Sequence, residues 1–216
     1  MMEILAGNDF SHSPQAVYGF VLRCFRLRTN MNSVLDIIYS RRAVRKYKDV
    51  ELDSRDVELL LDAGRMAPSA VNRQPWRFYV VTNPTLIKTI SLEIAPLIAE
   101  HFHLSHRMPS DGHDDPIFHG APCVIFISAP KDNEWAQLDI GMCAENMMLA
   151  AKAKGLDSCP VGLGKFVEKT RSYRSLGVPD DEHIVISLIF GYGDEKPEVH
   201  PRRRDNAYYI GQSVNR

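Results

Sequence analysis

The chain is short of the features that mark several common protein classes. Its 216 residues include only four cysteines, Cys24, Cys123, Cys143 and Cys159, and no CxxC pair. That is too sparse for the disulfide framework of a small secreted domain. Three of the four sit among apolar residues, so buried thiols in a reducing cytoplasm are expected. No run of about 18 apolar residues is present to span a bilayer. The N-terminus lacks the basic and long apolar regions of a secretory signal, which again favours a cytoplasmic location. Neither charge sign dominates: 26 Lys and Arg against 27 Asp and Glu leave a net charge of -1. Nothing global therefore steers the protein to nucleic acid or to a membrane surface. There is no GxSxG nucleophile elbow and no Walker loop. Gly162-Leu163-Gly164 and Gly191-Tyr192-Gly193 are GxG fragments without a third glycine, and they are expected to be turns. His101, His103, His106, His113 and His119, with Asp111, Asp114 and Asp115 among them, match neither HExxH nor a zinc-finger spacing, so no metal site is expected.

What is present reads as an α+β domain with a mostly antiparallel central sheet covered by helices. Strands are expected at Arg77 to Thr82, Cys123 to Ser128 and His183 to Phe190, which are rich in β-branched and aromatic residues. Ser33 is placed to cap a helix through Tyr39. Ser54 begins a second one through Met66, with Val57, Leu59, Leu60, Leu61 and Ala63 on its buried side. Long helices are expected at Thr85 to His103 and Ala136 to Lys154, the latter closed by Gly155 in the left-handed conformation. Trp76 and Trp135 are expected to pack in the core or at an interface. Met108 to His119, polar and bearing Pro and Gly, is the candidate lid. Residues 31–216 are expected to form one domain. Residues 1–30 are expected to be an extension in which 14–28 form a short amphipathic helix, with Arg23, Arg26 and Arg28 opposite an apolar face.

Two polar segments carry the chemistry. Ser40-Arg41-Arg42-Ala43-Val44-Arg45-Lys46-Tyr47 places three arginines and a lysine within six positions. Guanidinium forks grip a phosphate through paired hydrogen bonds and never lose their charge, so the cluster is a candidate phosphate clamp; a solvated helix end would use the same residues. The second segment, Ala67-Pro68-Ser69-Ala70-Val71-Asn72-Arg73-Gln74-Pro75-Trp76, is short, polar and turn-rich. It is suited to presenting an amide and backbone groups to a flat heterocycle.

On these residues, together with Asp139-Ile140-Gly141 through Ala151, Gly155 to Gly162, and Gly191-Tyr192-Gly193-Asp194-Glu195-Lys196-Pro197, the chain resembles the nitroreductase family of FMN-dependent oxidoreductases. The resemblance spans roughly residues 33 to 205 and implies FMN as cofactor, NADH or NADPH as hydride donor, and an intertwined homodimer. FMN carries the redox chemistry in its own ring, so no catalytic side chain is implied. By resemblance, Arg41 and Arg42 hold the phosphate and ribityl end. Arg45 sits beside the pyrimidine edge of the ring, where a cation stabilises the charge that arrives with two electrons. Ala43 stands where many relatives have Ser, which leaves only its main chain to contribute. Ser69 and Asn72 face the flavin. Pro160, Val161 and Gly162 run along the ring with backbone amides toward it, and Arg202 and Arg204 close on the phosphate.

The implied activity is hydride transfer from NAD(P)H to the flavin, then electron transfer to a nitroaromatic, quinone or similar small molecule, in a ping-pong mechanism. The same scaffold serves reductive dehalogenation and flavin fragmentation in related branches, and a flavin-binding or regulatory protein with little turnover would keep the same motifs. Nucleic-acid binding through residues 41–48 is disfavoured by the charge balance.

Overall fold

The computed structural model describes residues 34–103 and 115–211. The chain divides into two compact units, residues 1–40 and 41–216. Within the first, the described residues form helix α1, Val34–Ser40. The expected cap Ser33 and the expected helix at 14–28 lie outside the described residues.

In the second unit the order is α2 (Ser54–Arg65), a 3-10 turn (Ala70–Asn72), β1 (Arg77–Val81), α3 (Pro84–His101), β2 (Cys123–Pro130), α4 (Ala136–Ala153), β3 (Asp157–Val161), two 3-10 segments (Gly162–Lys169 and Arg171–Leu176), and β4 (Glu182–Gly191). The sheet runs β1-β2-β4-β3 with every neighbouring pair antiparallel. β2 is buried on both faces, which is why its sequence is a continuous apolar run. Its alternate residues feed two cores. Val124 and Phe126 pack with Ile87, Ile90, Ile94 and Ile98 of α3 on one face. Ile125 and Ile127 pack with Leu60 of α2 and Met147 of α4 on the other.

Local chemistry explains the element ends. α2 begins at Ser54 as expected, and Asp53 caps it, its side chain accepting from the Arg55 amide at 2.8 Å. Asn83 caps α3 by accepting from Leu86 N at 2.9 Å, with Pro84 at the first turn. Gly155 has φ 79°, as a left-handed helix stop requires. On α2 the buried residues are Val57, Leu60, Leu61 and Gly64, while Leu59 is exposed, against expectation. The 3.6-residue period selects 57, 60, 61 and 64; glycine serves at the last because a Cβ there would meet Met147 Cγ at 2.9 Å.

Three further expectations are corrected. β3 is a strand beyond the three expected, and Pro160 lies inside it. The proline is tolerated because β3 is an edge strand, paired with β4 alone in the sheet. Gly162-Leu163-Gly164 is not a turn but the start of a 3-10 segment, in which a Cβ on Gly164 would collide with the Ser187 hydroxyl. Of the expected lid, residues 108–114 lie outside the described residues, and Asp115 to His119 form a turn rooted in the core. Ile117 and Phe118 are fully buried there, and the Asp115 carboxylate accepts from the Ser91 hydroxyl and from the amides of Phe118 at 2.9 Å and Ile117 at 3.2 Å.

Candidate active site

Residues Arg41 to Lys48 run as an extended strip beside the outer edge of β3. Val44 N donates to Ser158 O at 3.1 Å, Lys48 N to Tyr192 O at 2.8 Å, and Asp194 N back to Lys46 O at 2.8 Å. The Arg45 amide donates to the Glu195 carboxylate. Val44 and Tyr47 turn into the core, and the buried Tyr47 hydroxyl donates to Val44 O at 2.6 Å. Burial pushes the Tyr47 phenol above its ordinary pKa, so it remains a donor. Gly193 lies against this strip because a Cβ there would come within 2.5 Å of Asp157 Oδ2 and 3.2 Å of Val44 Cγ1.

With Val44 and Tyr47 anchored inward, Arg45 is left toward solvent and Arg41 and Arg42 are part-buried. Arg41 is largely buried at its side chain, 22 % exposed, and pairs with Glu145 of α4 at 3.5 Å. Arg42 Nη1 donates to the Arg41 carbonyl at 2.7 Å. Arg45 is exposed. Burial raises the pKa of the Cys159 thiol on β3, and the Arg45 and Arg41 charges partly oppose that shift. Ala43 bridges Ser158 in parallel.

Pro160 and Gly162 are exposed at this edge while Val161 is buried between them. Proline has no amide hydrogen, so Pro160 brings no backbone donor, which corrects the expectation for that residue. The Val161 carbonyl is already taken by the Ser187 hydroxyl at 2.9 Å.

The Ser69–Gln74 loop is held differently. Ser69 Oγ accepts from Gln74 N at 2.9 Å, Asn72 Oδ1 accepts from Gln74 Nε2 at 3.2 Å, and Val71, Asn72 and Gln74 have φ of 45°, 56° and 48°. Ala70 N donates to Oδ1 of the buried Asp139 on α4 at 3.1 Å. One helix thus touches both segments, through Glu145 to the strip and through Asp139 to the loop. Six positions separate these residues, about 9 Å along the axis and about 120° around it. The two segments therefore attach to different sides of α4.

The strip that carries Arg41, Arg42, Ala43 and Arg45 meets β3 at Ser158, two residues before Pro160, Val161 and Gly162. Ser69 and Asn72 belong to the loop that α4 holds through Asp139. Arg202 and Arg204 lie exposed on the segment after β4, and Arg203 pairs with Asp205 at 3.2 Å. Trp76 packs against the core, but Trp135 is half exposed at the start of α4. Among the described residues no group of three or more His, Cys, Asp or Glu could hold a metal ion, and no helix is long and apolar enough to cross a membrane. Asp139, Glu145 and Glu195 stand within the motif segments, but the sequence alone assigns them no role. An acidic residue inside an otherwise apolar helical run was the available signal for Asp139.

A profile of the nitroreductase family matches residues 38–192. The chain belongs to the nitroreductase family. That nitroreductase assignment carries its reaction class, FMN-dependent oxidation of NAD(P)H. A protein of Archaeoglobus fulgidus provisionally named NADH dehydrogenase/NAD(P)H nitroreductase is 30 % identical over 174 residues, 78 % of this chain and 88 % of its own length. The 4-nitrobenzoate reductase of Pseudomonas putida is 28 % identical over 204 residues, 77 % of this nitroreductase and 88 % of its own. Among solved structures, a nitroreductase with bound FMN from Bacteroides fragilis superimposes with a TM-score of 0.70 at 27 % identity, over 85 % of this chain and 98 % of that one.

Proposed function

We propose that this nitroreductase takes hydride from NADH or NADPH and passes electrons to a nitroaromatic, quinone or similar small acceptor by a ping-pong mechanism, as a cytoplasmic homodimer with two FMN sites at the subunit interface. Residues 31–216 act as the FMN-binding domain, with 1–30 as an extension. The observation that carries the reading is the arginine strip pinned along an exposed strand edge. There, fixed cations lie along the strand that leads to the exposed Gly162, where charge for a phosphate and room for a flat heterocycle adjoin.

FMN, when bound, supplies the hydride-accepting ring. Arg41 and Arg42 hold the phosphate and ribityl end, and the main chain of Ala43 supports them. Arg45 sets a positive charge by the pyrimidine edge. The amides of Val161 and Gly162 line the ring, and Pro160 shapes their approach. Ser69 and Asn72 orient the flavin from the loop, and Arg202 and Arg204 close over the phosphate. Attachment of loop and strip to different sides of α4 supports a homodimer, because a second copy can bring its loop to the first copy's strip. Glu145 neutralises Arg41 while the phosphate is away. Donor and acceptor use the same open face in turn, and the 4-nitrobenzoate reductase relative supports an aromatic nitro compound as one acceptor.

Purified protein titrated with FMN tests this directly. Flavin absorbance should bleach anaerobically on adding NADH or NADPH and return on adding a quinone or nitroaromatic. A flavin-loaded protein that no nicotinamide bleaches would reject the oxidoreductase reading, and a monomer that binds FMN fully would reject the interface site.

A further inference from the structure

We propose that Asp139 is a positioning residue for the flavin site: from the first turn of α4 it fixes the Ser69–Gln74 loop in the backbone conformation that the cofactor meets. The proposal rests on the FMN reading above. Asp139 is 1 % exposed, Oδ1 accepts from the Ala70 amide at 3.1 Å, and the equally buried Oδ2 has no hydrogen-bond partner. A carboxylate in that situation is costly, and its neighbours on α4 show what is cheaper. Ala136, Ile140 and Cys143 share the same buried side. A residue serving only to fill the core would be apolar. Asp139 retains one function that an apolar side chain lacks, acceptance of the Ala70 N–H.

That hydrogen bond enters the loop where the backbone is most strained. Val71, Asn72 and Gln74 all lie at positive φ, and for the β-branched Val71 this is a marked outlier. Val71 is 85 % exposed, so core packing does not hold it there. Strained backbone persists only where surrounding contacts over-determine it. The internal bonds from Asn72 N to Ser69 O and from Arg73 N to Ala70 O close the turn upon itself. Asp139 ties that closed turn to a rigid helix. With Ala70 fixed, Ser69 and Asn72 are presented in one arrangement before the flavin arrives, and ordering the loop does not subtract from affinity.

Two variants and two readouts test this. Asp139→Leu replaces both oxygens with methyl groups on the same branched frame, whereas Asp139→Asn keeps an acceptor for the Ala70 amide. Amide hydrogen exchange across residues 69–74 reads the loop in ligand-free protein, and flavin fluorescence titration reads FMN affinity. Asp139→Leu should speed exchange at Ala70 to Gln74 while leaving β2 and β4 protected, and should bind FMN about tenfold more weakly. Asp139→Asn should restore both to within about threefold of wild type, a rescue that a role in core filling does not predict. Unchanged loop exchange in Asp139→Leu overturns the proposal. So does faster exchange with unchanged FMN affinity, or an Asn variant as impaired as the Leu variant. Should Asp139→Leu not fold, Ala70→Pro deletes the same bond from the donor side. Ser69, at φ -145° and ψ 156°, already has the extended backbone that precedes proline, and the same outcomes apply. Wild-type protein that binds no FMN would reject the flavin reading instead, while the exchange measurement still reports the hold of Asp139 on the loop.

Discussion

The Arg41–Lys48 strip and the Ser69–Gln74 loop are both irregular and polar, yet their backbones are secured in contrasting ways. The strip is tied by main-chain bonds to Ser158 and Tyr192, by the returning bond from Asp194 and by the Glu195 carboxylate, and it sinks Val44 and Tyr47 into the core. Its functional side chains add little to that load: Arg41 pairs with the half-exposed Glu145 at 3.5 Å, and Arg42 reaches only the adjacent Arg41 carbonyl. The loop, among the described residues, hangs from α4 by the bond from Ala70 to Asp139, and its side chains Ser69 and Asn72 are occupied in closing its own turn. In the strip, holding and binding are separated. In the loop they are the same few atoms. Substitutions that remove binding groups from the strip should thus cost affinity and little stability, whereas substitutions in the loop should move both.

The largest expected effect is on cofactor binding. Arg41→Ala or Arg42→Ala should weaken FMN binding by about 1.5–3 kcal/mol, the scale of a charge-assisted hydrogen bond in a partly buried site. Isothermal titration with FMN, beside a thermal melt of the ligand-free protein, checks it. A melt that fell as far as the affinity would show that the arginines hold the strip as well as the phosphate, and the contrast with the loop would disappear.

Next in size is Gly193→Ala, which attacks the strip's seating and leaves the arginines intact. A Cβ there meets a carboxylate oxygen of Asp157 and the side chain of Val44, and Asp157 is itself paired with Lys152 at 3.0 Å. Overpacking of this kind costs about 2 kcal/mol, read as a lower denaturant midpoint. Wild-type stability in this variant would mean that the strip can lift away from β3 without penalty.

The same contrast explains what was legible in the sequence. The strands β1, β2 and β4 and the helices α2, α3 and α4 follow from period and composition, because hydrophobic burial is written into local pattern. The arginines of the strip were legible for the same reason: their function lies in side-chain type. β3 was not, because its Pro160 argues against a strand until the edge position is known. Asp139 and Glu145 were also illegible as anchors, since their partners Ala70 and Arg41 lie far away in sequence and only packing of α4 against both segments brings them together. The core-rooted turn at Asp115 was hidden by a polar context that resembles a surface loop, because its buried carboxylate is satisfied by backbone amides.

A smaller effect should follow from Arg45→Gln. The Arg45 backbone amide is engaged with Glu195, and that bond survives the substitution, so position and charge can be separated. Losing a cation beside the pyrimidine edge should lower the midpoint potential of the FMN-loaded protein by about 30 mV, equivalent to ~1.4 kcal/mol for two electrons. Spectroelectrochemical titration of variant and wild type provides the comparison. An unchanged potential would leave Arg45 with an anchoring role alone.

The smallest expected effect is the sharpest test of redundancy. Tyr47→Phe deletes the hydroxyl that donates to Val44 O, leaving that buried carbonyl short of a partner, and should cost about 1 kcal/mol. Because Val44 N still reaches Ser158 and Lys48 N still reaches Tyr192, the strip should remain in place and FMN affinity should stay within about twofold. The pH dependence has a definite sign. Burial raises the phenol pKa in the folded state, so wild type holds this contribution fully below the ordinary phenol value of about 10 and loses it as pH climbs beyond that. The variant should therefore show less loss of stability than wild type between neutral and strongly alkaline pH. If FMN affinity instead fell in step with stability, a single buried hydroxyl would be holding the strip, as a single buried carboxylate holds the loop.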